Sequence, residues 1–117
     1  MKSTPEEIAK LDGRYCPEAF HFVYEGLGYT VKKFKDSPGH VTGQVLCEGL
    51  RMFALERWGR LALLVLDSWQ VTRTRDFGEI VYALIEYEWM SALPTDTIDD
   101  FDDVYSFSAV FMDGFSF

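Results

Sequence analysis

Glu18 and His21 stand three residues apart, and Glu25 follows one helical turn later. On a helix these side chains share a face, and Glu-x-x-His is half of a di-metal carboxylate site. The full site needs a second such pair and further glutamates. His40 has Ser37 where the matching glutamate should stand, so a single chain lacks the second half. A symmetric dimer that added Glu48 or Glu56 would supply it and would make a metal-dependent enzyme at the dimer seam. The plainer account is a set of surface contacts between neighbouring turns, worth about 0.2–0.5 kcal/mol per pair. Glu18, His21 and Glu25 are therefore metal candidates only, and no metal site is expected.

Cys16, Cys47, His21 and His40 are the complete soft-ligand inventory. Their spacing matches no short zinc motif. Cys47 lies among apolar neighbours, where a buried thiol is ordinary. A cysteine nucleophile needs an exposed, low-pKa thiolate and an oxyanion donor, and the sequence supplies neither. The acidic run 96–103 lacks the turn glycine and terminal glutamate of a calcium loop. The glycines at 26 and 28, or at 39 and 43, make no phosphate-binding fingerprint. The expectation is a non-enzymatic protein with no catalytic residue and no cofactor.

Charge points to binding instead. Up to Arg75 the chain carries all eleven bases and nine acids; beyond it come ten acids and no base, within a net charge of −8. Such a surface repels polyanions and attracts cationic partners. Ten Phe, six Tyr and three Trp are many for 117 residues, which leaves aromatics available to a partner. Both features meet in the stretch 99–105, where aspartates flank Phe101 and Tyr105 follows. Aromatic anchors supply desolvated area, and rim acids speed the encounter and select a basic partner. The expected partner-binding residues are Asp99, Asp100, Phe101, Asp102, Asp103 and Tyr105, in a helical adaptor or regulatory module that binds a basic protein. The plainer reading, and the one the sequence favours, is that the segment wraps back over its own bundle, since a core often recruits its C-terminus.

Nucleic acid is a weaker prospect. Residues 62–86 have the outline of a helix-turn-helix, with Arg73 and Arg75 at the start of its second helix. Asp76, Glu79, Glu86 and Glu88 follow without a base, and phosphate affinity comes from cations, so DNA is not the expected partner. Lys32, Lys33 and Lys35 form a basic group that RNA or a ribosome could contact. Their position near a helix C-terminus is already favourable for the helix dipole.

These residues must be positioned by helices. Thr4-Pro5-Glu6-Glu7 predicts a capping box with proline in the first turn, and Gly13 a stop. Pro17 opens a second helix with Phe20, Val23, Leu27, Val31 and Phe34 on one face, where Gly26 and Gly28 predict a kink or close packing. A turn follows at residues 36–39. Thr42 caps a third helix, ended by Gly59, that buries Leu46, Leu50, Phe53, Ala54 and Trp58. Residues 61–66 are apolar all round, which predicts a short central helix covered on every side. The last clear helix runs from Thr74 to about Met90 and buries Phe77, Ile80, Val81, Leu84 and Ile85. The fold class is all-α: one domain with a compact bundle of about five helices over residues 1–94. An acidic, aromatic-rich segment over 95–117 packs on the bundle or on a partner.

The longest apolar run falls far short of the roughly 20 residues of a membrane span. The polar, acidic N-terminus is unlike a secretory signal. No membrane association is expected, a homo-oligomer is admissible, and the expected location is cytoplasmic.

Several blocks together carry a resemblance: His40-Val41-Thr42-Gly43-Gln44, Leu46-Cys47-Glu48-Gly49-Leu50-Arg51, Ala54-Leu55-Glu56, Thr74-Arg75-Asp76-Phe77-Gly78-Glu79-Ile80-Val81 and Asp100-Phe101-Asp102-Asp103-Val104-Tyr105. The chain resembles a family of small uncharacterised proteins of planctomycetes and verrucomicrobia over nearly its whole length after Arg14. The resemblance implies a shared fold and neither an activity nor residue roles.

Overall fold

Local signals set the helix starts. The computed structural model describes residues 3–34 and 41–112, and among these it contains five α-helices and no strand. In α1 (Pro5–Asp12), the Thr4 hydroxyl accepts from the Glu7 N–H and the Glu7 carboxylate accepts from the Thr4 N–H. Gly13, at φ 79°, ends the helix. Helix α2 spans Pro17–Lys33. Helix α3 (Gly43–Trp58) starts at Thr42, whose hydroxyl accepts from the Val45 N–H, and stops at Gly59. A 3₁₀ turn, Gly59–Leu61, leads into α4 (Ala62–Ser68), and α5 covers Thr74–Glu86. The fold is the expected all-α bundle. The turn predicted at 36–39 lies outside the described residues.

Helix α2 buries Ala19, Phe20, Phe22, Val23, Gly26 and Thr30. The predicted line through Val31 is therefore rotated, and Val31 is half exposed. Small residues cause the rotation. Gly26 admits Leu50 of α3, and Gly49 of α3 admits Thr30, at approaches that a Cβ on either glycine would block. The Thr30 hydroxyl is satisfied within the helix by donating to the Gly26 carbonyl. Gly28 meets nothing and takes no part.

Two further expectations need correction. Helix α4 is not covered on every side: Ala62 and Leu66 are buried, but Leu61 and Leu64 are 56% and 66% exposed. Helix α5 stops at Glu86 rather than near Met90. Both helices end in a Schellman arrangement whose left-handed residue is not glycine. The Val71 N–H reaches back to the Leu66 carbonyl past Gln70 (φ 64°), and the Trp89 N–H reaches the Leu84 carbonyl past Glu88 (φ 66°). Glycine is the usual signal for this stop, and its absence at Glu88 hid the end of α5.

The aromatic excess is largely absorbed inside. Phe22 lies 5.0–5.8 Å, centroid to centroid, from Trp58, Phe53 and Trp69. Beyond α5 the chain folds back as a 3₁₀ turn, Ile98–Phe101, and a π-helical turn, Ser108–Met112. Phe101, Phe107 and Phe111 are buried there, so the described part of the C-terminal segment packs on its own bundle. No helix among the described residues is long and apolar enough to cross a membrane.

Candidate binding groove

The segment that follows α5 turns a flat helix surface into a groove. Trp89 is pinned by its indole N–H, which donates to the Ser3 carbonyl at 2.6 Å. From there residues 90–101 run past the open side of α2, α3 and α5. The groove between them has a volume of about 440 Å³, within the range of ordinary ligand pockets. Its floor comes from Leu27 and Val31 of α2, Val41 and Leu46 at the start of α3, and Val81, Tyr82 and Ile85 of α5. Trp89, Met90 and Phe101 complete the apolar surface, and the acids of the lining are Glu88, Asp96 and Asp100. No Lys, Arg or His lines it among the described residues.

Each acid is placed by its own turn. Glu88 is the left-handed residue that ends α5. Asp96 accepts from the Leu93 N–H at 2.8 Å, and Asp100 accepts from the Thr97 N–H at 3.2 Å. Partial burial, with Asp96 and Asp100 nearby, raises the Tyr82 phenol above its usual range. The carboxylates beside it give the groove a negative potential, a field suited to a cation and unfavourable for an anion.

The six partner-binding residues expected from sequence do not share one outward surface. Phe101 is buried: a Cβ on Gly43 or on Gly78 would stand 2.8–3.0 Å from its side chain. The Thr74 hydroxyl donates to its carbonyl at 2.6 Å. Asp99 and Asp102 both bind Arg75 Nη1, at 2.9 and 3.1 Å. Those partners, with Glu79, raise the Arg75 guanidinium above its ordinary value. The Tyr105 hydroxyl donates to the Cys47 carbonyl at 2.7 Å, and burial raises its phenol. Asp103, exposed at φ 50°, borders a separate hollow with Asp67 and Arg73. Asp100 and Phe101 are the two of the six that line the groove. The groove residues missed in sequence, Glu88, Asp96, Tyr82, Trp89 and Met90, carried one readable sign: aromatics and acids continue without a base past the helix end.

The metal candidates are dispersed. His21 Nε2 lies 3.0 Å from Glu6, Glu25 is 3.5 Å from Arg57 Nη1, and Glu18 is exposed. Among the described residues no group of three His, Cys, Asp or Glu is placed to hold a metal ion. Cys16 and Cys47 are free thiols. Burial, and secondarily Glu48, push Cys47 up to about 12, the reverse of an activated nucleophile. Lys32 and Lys33 are exposed, with Lys33 5.8 Å from the Tyr29 ring centroid; Lys35 and His40 lie outside the described residues. No family model, curated protein or solved structure matches the chain.

Proposed function

We propose that the protein is a non-enzymatic helical adaptor whose groove receives a basic segment of a protein partner. One observation carries this reading: an apolar floor bordered by three carboxylates, with no cation among the described lining residues. A leucine or phenylalanine side chain fills the floor, and lysines or arginines beside it meet Glu88 and Asp100. Apolar burial supplies most of the affinity, while the rim charges set the encounter rate and reject acidic sequences. The role falls to the groove rather than to the 99–105 stretch as a whole, because Arg75 already holds Asp99 and Asp102. Membership of the small family that the chain resembles belongs to the same proposal and contributes a fold without an activity.

The test is fluorescence anisotropy with labelled synthetic peptides that carry leucine or phenylalanine between lysines, or between glutamates. The lysine series should bind and the glutamate series should not. Val31→Lys, at a half-exposed position of the floor, should abolish binding without unfolding the protein. Glu88→Gly is the sharper variant. It should stabilise the fold by about 1 kcal/mol, because glycine removes the penalty of a left-handed side chain, and still weaken the lysine peptides. Equal binding of both peptide series, or a Val31→Lys protein that binds as before, would overturn the reading. Retention of an RNA oligonucleotide at low salt, lost on neutralising Lys32 and Lys33, would replace it.

A further inference from the structure

Leu61 and Leu64 are the largest departure from the burial that the sequence leads one to expect. They sit three residues apart and more than half exposed, Leu61 on the turn that joins α3 to α4 and Leu64 in the first turn of α4. Arg57 and Arg60 flank them, and residues 57–66 include no acid. Arg60 is exposed; Arg57 shares its charge with Glu25 at 3.5 Å. Asp67 follows one turn beyond Leu64. This corner therefore presents two leucines beside arginine, which is the chemistry the groove is built to accept.

The corner and the groove lie at opposite ends of one helix. Leu46, near the start of α3, lines the groove, and Arg57 stands near its end. At 1.5 Å per residue they are roughly 17 Å apart along a rigid axis, so the two surfaces cannot meet within one chain. They can meet between chains. We infer that the Arg57–Arg60–Leu61–Leu64 corner of one copy docks into the acidic groove of a second copy, giving a head-to-tail assembly that competes with the partner for the same groove. Net charge supports the choice of faces. At −8 the chain repels its own copies, and beyond a Debye length of about 8 Å at physiological salt that repulsion is screened. Close contact is then favoured where local positive charge meets the groove. A single head-to-tail contact leaves one corner and one groove open, and further copies extend the assembly or close it into a ring.

This inference rests on the reading of the groove as a docking site, and its test separates the two. Sedimentation of the full chain across a concentration series should show the average mass rising with concentration. Leu64→Glu removes the corner, and Val31→Lys removes the groove; both positions are exposed enough for the variants to fold. Each variant alone should remain monomeric. Mixed in equal amounts, they should form a species of twice the monomer mass and nothing larger, because one functional corner meets one functional groove. Lysine-flanked peptide should dissolve the wild-type assembly. A wild-type chain that stays monomeric while it binds the peptide overturns the self-docking and leaves the adaptor reading standing. Association that persists in both variants, or mixed variants that do not pair, overturns it as well. A chain that neither associates nor binds peptide defeats both.

Discussion

Phe101 and Leu64 are both large apolar side chains on short helical segments, and their surroundings are opposite. Phe101 enters a slot whose walls are Gly43 and Gly78. Its turn is then fastened by Thr74, whose hydroxyl donates to the Phe101 carbonyl and accepts from the Val104 N–H, and by Arg75 on Asp99 and Asp102. Leu64 lies on the exposed side of α4, whose buried side carries Ala62 and Leu66. Hydrophobicity alone does not separate the two segments. The difference is a cleft shaped by glycines, with Thr74 and Arg75 fastening the turn, which residues 98–101 have and Leu64 lacks.

The largest expected effect breaks this contrast directly. Phe101→Ala should cost about 3–5 kcal/mol, the usual range for a buried phenylalanine, because the slot cannot collapse between two helix backbones. Leu64→Ala should change stability by no more than about 0.5 kcal/mol, as for an ordinary surface position. Urea denaturation at low protein concentration measures both. Comparable losses at the two sites would show that α4 is better covered than its exposure indicates.

A smaller effect sharpens the comparison, because one substitution should change sign between two helices. Alanine exceeds glycine in helix propensity by about 1 kcal/mol. At Gly28 a Cβ meets nothing, so Gly28→Ala should stabilise by up to that amount. At Gly78 a Cβ would lie 2.8 Å from Phe101 Cβ and Cγ. The resulting overpacking costs about 1–3 kcal/mol, and Gly78→Ala should be destabilising despite the better propensity. Melting temperatures of the two variants that move in the same direction would remove Gly78 from the slot.

What could be read from sequence follows from this distinction. The starts of α1 and α3 were legible because their signals are local: Thr4 with Glu7, and Thr42 before an apolar periodic run. The glycines of α2 left a kink or close packing open at both positions; Gly26 packs closely and Gly28 does not. The end of α5 was not legible, because Glu88 occupies a conformation that glycine normally advertises. The direction of the 99–105 segment was not legible either. Arg75 stands 24 and 27 residues before the two aspartates it holds, and no local pattern reveals such a pairing. The charge split was real information about the groove. Which acids line the groove was decided by the stop after α5 and by Arg75.

The smallest effect concerns how far the Arg75 clasp reaches. Glu79 joins it to α1, binding Arg14 at 2.8 Å and Arg75 at 3.2 Å, and Arg14 also binds Asp12 at 2.7 Å. The hydrogen bond from Arg14 holds the Glu79 carboxyl below its ordinary value, burial opposes it, and Arg75 adds to it. A carboxyl that is more acidic in the folded state contributes stability in full above its unfolded value, about 4.3. That contribution disappears as pH falls through the lower folded value. Glu79→Gln should therefore be less stable than wild type near neutrality, and the gap should close below about pH 4. Because the groups lie at the surface, partly exposed to solvent, the gap should be only about 0.2–1 kcal/mol. Equilibrium denaturation of both proteins at a series of pH values reads it, and a gap that widens on acidification would mean that the folded state favours the protonated acid and that the clasp ends at Arg75.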